Sequence, residues 1–412
     1  MSIRSLDRKP RILVAHPSRQ HSHEAALALL EAGFLGCYAT GVPVSHGELG
    51  VPWRALVRRL STYEEVALLG ELTRVNMVGT VSDRLFARYL PGFVGGPIHY
   101  QAYRMFDRWV AGLIARDHFD AVIAYENSAL CTFQTAKKIG GKCILEATNL
   151  HRVEADRRVE SGLPNVYKAR VDLCKDREVM LADCIFAPSE LAAETYRANI
   201  GSEKCVKTIP LGVDTERFKP GEKSSYTALQ PFTFIFVGAG TARKGFDFIL
   251  ESMERLLSEG LSFRLSVAGI IDRSLLSGRG RVLNNIREYG MVSHNELPSM
   301  LRSAQCLLLP SRVDAFALVV PQAMACGVPA IVSDMVGAKE LIEEGHNGFI
   351  VPSGNSDALV ERMRWCIWNA TSVHGMSTAA RAAAERYSWA NYRRRLLAAV
   401  REVLSARSEP RD

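Results

Sequence analysis

The segment DAFALVVPQAMACGVPAIVSD, residues 314–334, has only two polar side chains before its closing Ser-Asp pair. Asp314 opens this segment, and Gln322 follows eight positions later. A carboxylate and a carboxamide at this spacing could hold two parts of one ligand, about two helical turns apart if a helix begins promptly after Asp314. Backbone N–H groups near such a helix start could bind an anion or a sugar hydroxyl, and they belong to Phe316, Ala317 and Leu318.

A second candidate site is the loop in FTFIFVGAGTARKGFDFILESMERLL, residues 232–257. A strand is predicted to end at Val237 and a helix with core-spaced apolar residues to follow, so Gly238 and Gly240 lie in the loop between them. Free backbone N–H groups and the helix dipole favour phosphate at such a place, and Arg243 and Lys244 add positive charge. The Walker and dinucleotide-binding glycine patterns are absent, and a solvated basic loop is the alternative.

Polar residues also follow the predicted strands of the N-terminal half. The segment HPSRQHSHEAAL comes at the end of strand 11–16, and further strands are predicted at 119–125 and 142–148. Contact with an acceptor, helix capping at the surface and metal binding through His-x4-His-x-His are the open interpretations, and metal is disfavoured because no ordered carboxylate or cysteine lies nearby. The acceptor candidates are His16, Arg19, Gln20, His21, His23 and Glu126. His151 is the candidate for a polar contact with a donor or acceptor, and a surface-loop histidine is the alternative.

The elements that must position these residues alternate along the chain. Short apolar strands and amphipathic helices follow one another from end to end, which predicts parallel sheets covered on both faces. The pattern stops at TERFKPGEKSSYTALQP, residues 215–231, which reads as a linker. We therefore expect two α/β domains, residues 1–213 and 214–387, with ligands in the cleft at the carboxyl ends of their strands.

Composition narrows the class of protein. The 412 residues carry a net charge of +7, which fits either a mildly basic surface or attraction to anionic small molecules or membranes. Pro321, Gly327 and Pro329 argue against a membrane span in the apolar segment. The nine scattered cysteines predict reduced, mostly buried thiols, and no apolar signal region precedes Arg11, so a cytoplasmic protein is expected.

One stretch of the N-terminal half could touch a membrane. In VPWRALVRRL, residues 51–60, three arginines could share a helix face opposite Trp53, Leu56 and Leu60, and residues 84–116 are also rich in arginine. A surface helix packed on its own domain and a peripheral contact with an anionic membrane are both open.

The C-terminal half resembles the donor-binding domain of the retaining glycosyltransferases of family 4. The resemblance spans roughly residues 182–352 and rests on the order and spacing of ADCIFAPSE, IPLGVDTERFKP, VGAGTARKGFDFILE, YGMVS, LPSRVDAFALVVPQAMACGVPAIVSDMVGAKELI and NGFIVP. It implies the GT-B fold, in which two Rossmann-like domains of doubly wound parallel sheet face each other across a cleft. The N-terminal half matches only in strand pattern, and a last helix at about 388–405 would cross back to the first domain.

The resemblance also implies roles for individual residues. Lys244, with Arg243, would hold the diphosphate of a nucleotide sugar, and Asp314 and Gln322 fall on the two acidic positions of the family's Glu-x7-Glu motif. The first would contact the donor sugar and the second the ribose. Backbone groups of Phe316, Ala317 and Leu318 would touch sugar and phosphate, and Met291 and Val292 would lie in the loop beside the base.

The expected activity is transfer of a sugar from a UDP-, GDP- or ADP-sugar to a glycan, lipid-linked or small-molecule acceptor, with retention of anomeric configuration. No Asp-x-Asp occurs in the chain, so a metal held by carboxylates is not expected. The implied reaction also needs no other cofactor and no nucleic-acid partner. Asp314 and Gln322 replace both motif glutamates, and Ala239 stands where the family usually has arginine. A non-catalytic or weakly active sugar-nucleotide binder is therefore the alternative.

Overall fold

The computed structural model describes residues 8–18, 20–42, 67–77, 79, 92–159, 165–221 and 231–406. Arg19 and residues 51–60 lie outside these ranges, as do residues 84–91 of the arginine-rich stretch. The described part holds two separate parallel sheets, one built before residue 210 and one after residue 230.

The first sheet has seven strands in the order β3-β2-β1-β4-β5-β6-β7. Its strands are β1 (Ile12–His16), β2 (Leu35–Thr40), β3 (Thr73–Val75), β4 (Ala121–Tyr125), β5 (Lys142–Glu146), β6 (Cys184–Ala187) and β7 (Cys205–Thr208). Its helices are α1 (Ser22–Glu31), α2 (Gly92–Arg116), α3 (Leu130–Lys138), α4 (Arg152–Arg158), α5 (Asn165–Leu181) and α6 (Glu190–Ile200), and a 3₁₀ turn spans Ala67–Leu72.

The second sheet has six strands in the order β10-β9-β8-β11-β12-β13. They are β8 (Phe232–Val237), β9 (Phe263–Ala268), β10 (Ile286–Gly290), β11 (Cys306–Leu309), β12 (Ala330–Ser333) and β13 (Gly348–Val351). The helices are α7 (Phe246–Ser258), α8 (Gly280–Leu283), α9 (Leu297–Arg302), α10 (Val319–Ala325), α11 (Ser356–Trp368), α12 (Ala370–Gly375), α13 (Ser377–Glu385) and α14 (Trp389–Ser405). Further 3₁₀ turns span Ala242–Lys244, Arg273–Leu276 and Gly337–Leu341.

Burial explains why these strands form. Every residue of β1 and β4 is buried, as strands need to be when helices cover both faces of a parallel sheet. The two strands pair in parallel from Ile12 opposite Ala121 onward. In the second sheet β11 and β12 are equally buried, and Phe246, Ile249 and Met253 of α7 pack into the same core. The predicted class of fold is therefore confirmed.

The final helix joins the two sheets. α14 belongs to the last part of the chain but packs on α1, where the Arg393 guanidinium lies 2.6 Å from the Glu24 carboxylate. The two chain segments that run between the sheets also touch each other, because the Val213 N–H donates to the Tyr387 carbonyl at 2.8 Å. Gly212 is required there, since a Cβ atom would lie 2.6 Å from the Trp389 backbone. The boundary near residue 213 stays a prediction.

Cysteine oxidation differs from the sequence-based expectation. Cys184 and Cys205 face each other on the neighbouring strands β6 and β7, with Cα atoms 4.6 Å apart, and form a disulfide. The expectation of a fully reduced chain is wrong at this pair, because parallel pairing brings together two thiols that are far apart in sequence. The other cysteines of the described residues are free.

Candidate functional site

A cavity of about 520 Å³ lies between the two sheets, in the size range typical of ligand pockets. Its first-domain residues follow the carboxyl ends of β1, β5 and β6, and its second-domain residues follow β8, β10 and β11. Ligands of open parallel sheets bind at this edge. The lining includes Gln20, His21, His23 and Thr148 on one side, and Lys244, His294, Asp314, Phe316, Ala317, Leu318 and Gln322 on the other.

An ion pair occupies the centre of the second-domain side. The Lys244 ammonium donates a hydrogen bond to the carboxylate of Asp314, and Asp314 is only 8% exposed. Asp314 is held by its backbone, since its N–H donates to Met335 and its carbonyl accepts from the Gly337 N–H. The carboxylate is thus fixed by two neighbouring loops before any ligand arrives, and the lysine is the cation that balances it.

The Lys244 loop is tied to the Asp314 loop by a second ion pair. The Arg312 guanidinium bonds Asp247 in bidentate fashion at 2.8 and 2.6 Å, and it also donates to the Ala242 carbonyl. Gly245 allows the close approach, because it has φ +72° and a Cβ atom would lie 2.0 Å from the Pro310 carbonyl oxygen. These contacts place Lys244 beside Asp314 although the two are 70 positions apart in the chain.

The backbone between Asp314 and α10 is strained. Ala317 has φ +67°, a left-handed conformation that non-glycine residues seldom adopt, and such strain concentrates at ligand sites. α10 begins only at Val319, so Gln322 lies about one turn into the helix rather than two helical turns from Asp314. Both Gln322 and the turn at Ala317 still face the cavity.

Across the cavity, His21 is held by a buried carboxylate. The His21 Nε2 lies 3.3 Å from Glu146, whose side chain also accepts from the Tyr392 hydroxyl of α14 at 2.9 Å. The final helix therefore helps to orient a histidine of the first domain, and Trp389 of the same helix lines the cavity.

Some predicted residues lie near the cavity but do not line it. His16 is fully buried, and its Nδ1 accepts from the Ser18 N–H at 2.8 Å. Burial, reinforced by His21, lowers the pKa of His16 to about 3, so the ring is neutral. Glu126 and His151 both contact Tyr196 behind Thr148: the hydroxyl donates to Glu126 at 2.5 Å, and the His151 ring lies edge-on to the Tyr196 ring at 5.3 Å.

Burial also lowers the pKa of His151, with a further contribution from the adjacent Arg152 charge. The ring is therefore neutral near pH 7, and its buried Nδ1 atom has no hydrogen-bond partner among the described residues. His151 follows the carboxyl end of β5 but does not line the cavity.

The other loop residues of the second domain are placed outside the cavity wall. Arg243 is exposed and does not line the cavity, whereas Lys244 does. Met291 is 69% exposed, and neither it nor Val292 lines the cavity. Gly238 and Gly240 instead form backbone bonds to the loop after β9, with N–H groups donating to Ala268 and Ile270.

Sequence reasoning missed several lining residues. Arg217 and Phe218 line the cavity from the stretch whose composition indicated a linker, Asp214 lies just before that stretch, and Trp389 comes from the final helix. His294 lies three positions after Met291, in the loop that follows β10. Its ring centroid lies 5.4 Å from that of Phe218. The available signal was IPLGVDTERFKP, one of the segments that carry the family resemblance, since it includes Asp214, Arg217 and Phe218.

The described residues provide neither a metal site nor a membrane-spanning helix. No group of three His, Cys, Asp or Glu side chains in the described ranges is placed to hold a metal ion. No helix among the same residues is long and apolar enough to cross a membrane.

Two parallel-sheet domains with a cavity at their facing edges define the GT-B fold, and the solved structures agree. Sucrose-phosphate synthase from Thermosynechococcus elongatus superposes over 97% of this chain and 100% of its own, with a TM-score of 0.69 and 17% identity. Anabaena HepE in complex with UDP covers 96% of this chain and 100% of its own, with a TM-score of 0.65 and 14% identity. At such identities the likeness concerns the fold alone.

Within that fold, residues 220–383, which make up most of the second domain, match the family model of the glycosyl transferases group 1. D-inositol 3-phosphate glycosyltransferase 1 of Catenulispora acidiphila is 26% identical over 55% of this chain and 59% of its own. Phosphatidyl-myo-inositol mannosyltransferase of Mycobacterium tuberculosis is 27% identical over 49% of this chain and 55% of its own. The chain thus spans about half the length of the curated relatives it matches.

Proposed function

We propose that the protein is a glycosyltransferase that moves a sugar from a nucleotide-diphosphate sugar to a glycan, lipid-linked or small-molecule acceptor, with retention of anomeric configuration. The observation that carries the proposal is the Lys244–Asp314 pair in a cavity shared by both domains. A cation beside a carboxylate can bind the two ends of one donor, because the ammonium attracts the diphosphate and the carboxylate accepts from sugar hydroxyls.

The donor would lie on the second-domain side. Lys244 would turn from Asp314 to the diphosphate, and the backbone at Ala317 and Leu318 would supply N–H donors. Asp314 would then be free to bind the sugar, and Gln322 would accept from a ribose hydroxyl through its amide oxygen. His294 and Phe218 give the base a wall of aromatic rings on the same side of the cavity.

The acceptor would enter from the first-domain side, where Gln20, His21 and His23 line the cavity. As the anomeric C–O bond breaks, its electron pair stays on the diphosphate, where Lys244 and the N–H groups stabilise the charge. The acceptor oxygen bonds to the anomeric carbon, and its proton passes to a leaving phosphate oxygen. Such a reaction uses neither a metal nor another cofactor.

This proposal carries expectations about surroundings as well. The partners would be the donor and the acceptor, without nucleic acid, and the protein would work in the cytoplasm, at the inner face of the membrane when the acceptor is lipid-linked. Membrane contact through residues 53–60 stays a prediction, since that stretch lies outside the described residues.

A panel of UDP-, GDP- and ADP-sugars tests the function. Purified protein should gain thermal stability with one nucleoside diphosphate and should release that diphosphate from its sugar donor. The anomeric proton coupling of the product reports retention, and a chelator should leave the rate unchanged. Absence of a thermal shift across all nucleotides would contradict the proposal.

The same panel separates the enzyme from a sugar-nucleotide binder. The binder is favoured by one observation, that Asp314 and Gln322 replace the motif glutamates within the cavity lining. Binding without turnover in the native chain, together with turnover in the Asp314→Glu, Gln322→Glu double variant, would identify the binder.

A further inference from the structure

Helix α5 presents all of its exposed side chains on a single face. Among the residues of this helix whose side chains are described, the exposed ones are Val166, Ala169, Arg170, Leu173, Arg177 and Met180. At about 100° per residue they fall within an arc of roughly 100°, and they run for about 21 Å along the helix. We call this set the α5 face.

The α5 face is unusually apolar for a solvated surface. Val166, Leu173 and Met180 stand at seven-residue spacing and are 66%, 51% and 71% exposed. A single exposed apolar side chain is common on any protein, whereas three on one face of one helix favour a surface that something covers. Removing these three side chains from water would provide favourable free energy for an interaction.

The charge of the α5 face has one sign. Arg170 and Arg177 lie about two turns apart along one edge, and the α5 face contains no acidic residue. The acidic residues of α5 are occupied elsewhere: Asp172 pairs with Lys168, Asp176 pairs with Arg152, and Glu178 is buried and accepts from the Asn127 and Ala129 N–H groups. The face is therefore a row of apolar side chains with a cationic border.

The helix is fixed in this orientation from behind. Val179 is buried in the core of the first domain, and the Cys174 thiol lies 3.0 Å from the Tyr100 hydroxyl of α2. Because the inner side is anchored, α5 cannot roll its apolar row inward without giving up these contacts.

We propose that the α5 face docks on an anionic lipid surface. Apolar side chains of a helix that lies flat can enter the boundary between headgroups and acyl chains, while arginines reach the phosphates. A second copy of this chain fits less well, since the face offers no carboxylate to receive the partner's arginines. This inference is independent of glycosyl transfer, because it needs no donor.

Vesicle co-sedimentation of the full chain tests the inference. Vesicles of phosphatidylcholine with 30% phosphatidylglycerol should bind the native protein, and pure phosphatidylcholine should bind it weakly. Arg170→Ala with Arg177→Ala should weaken binding about 30-fold, from roughly fivefold per cation, and Leu173→Ser with Met180→Ser should abolish it. High salt should weaken binding by the native chain and have little further effect on the arginine variant.

Matched controls lie in the second domain. Trp368 of α11 is 68% exposed and Arg281 of α8 is exposed, so Trp368→Ser and Arg281→Ala remove comparable side chains from another surface. Both should bind vesicles like the native chain. Equal binding by the Leu173→Ser, Met180→Ser variant, failure of the native chain to bind, or a dimer in light scattering that this variant abolishes would each overturn the proposal.

Discussion

Replacement of Lys244 by alanine is the most informative single perturbation of the cavity. Lys244 is proposed to bind the donor diphosphate, and in the ligand-free protein it balances Asp314, which is 8% exposed. A hydrogen bond to a charged group contributes about 1.5–3 kcal/mol, and about 1.4 kcal/mol corresponds to a factor of ten. Lys244→Ala should therefore weaken nucleoside diphosphate binding about 10- to 150-fold.

The same substitution should lower stability for a separate reason. Without the ammonium, Asp314 remains as a largely buried carboxylate, which costs about 1–3 kcal/mol of unfolding free energy. Changing Asp314→Asn in the Lys244→Ala background should restore most of that stability, because the amide carries no charge. It should not restore diphosphate binding, because the cation is still missing.

Calorimetric titration with the nucleoside diphosphate measures the affinity, and urea unfolding measures the stability. Arg243→Ala is the matched control, since Arg243 is the adjacent cation but is exposed and outside the cavity lining. Its loss should change affinity by less than threefold, a factor on the scale of a screened surface charge. If Arg243→Ala weakens binding as much as Lys244→Ala, or if Lys244→Ala binds normally, the assignment of the diphosphate site to Lys244 is wrong.

Three other substitutions have defined outcomes. Gln322→Glu should tighten donor binding at least about fivefold, because a carboxylate accepts more strongly than an amide, and weaker binding in titration would contradict the ribose contact. His16→Asn keeps an acceptor for the Ser18 N–H but cannot titrate. The native chain should lose stability as pH falls from 6.5 toward 3, and His16 should account for up to about 1.4 kcal/mol per pH unit of that loss. Urea unfolding at each pH should show a smaller loss in the variant. Ser189→Ala removes the cap of α6 and the 2.6 Å hydrogen bond to the Ala315 carbonyl of the other domain. The free energy of unfolding should fall by about 1–2 kcal/mol, and the midpoint of thermal unfolding should fall with it. An unchanged midpoint would show that these hydrogen bonds contribute nothing.

The strands that could be predicted from the sequence are those buried on both faces. β1, β4, β11 and β12 are continuous apolar runs because both of their faces are covered, and such runs are visible without a structure. β10 was not predicted because its residues Arg287, Glu288 and Tyr289 are exposed, as an edge strand permits. The three residues of β3 are too few for their alternation to be recognised.

The cavity could be predicted only in part for a related reason. Lys244 and Asp314 were found because each follows a recognisable strand, and parallel topology brings such residues to one edge. Arg217 and Trp389 belong to segments outside either sheet, and their approach depends on how the chain crosses between domains. The local sequence pattern also cannot decide which of two adjacent cations lines the cavity. Only the contacts of Arg312 with this loop distinguish Lys244 from Arg243.

The packing of α14 on α1 has a consequence for anyone dividing this protein into pieces. A fragment that ends near residue 213 would lack the Arg393 partner of Glu24, the Tyr392 partner of Glu146 and the helix that covers α1. Such a fragment should be poorly soluble by itself and should be rescued by a separate peptide carrying residues 388–406. The first sheet is thus covered in part by a helix from the far end of the chain, and we expect its folding to be complete only once that helix has been made.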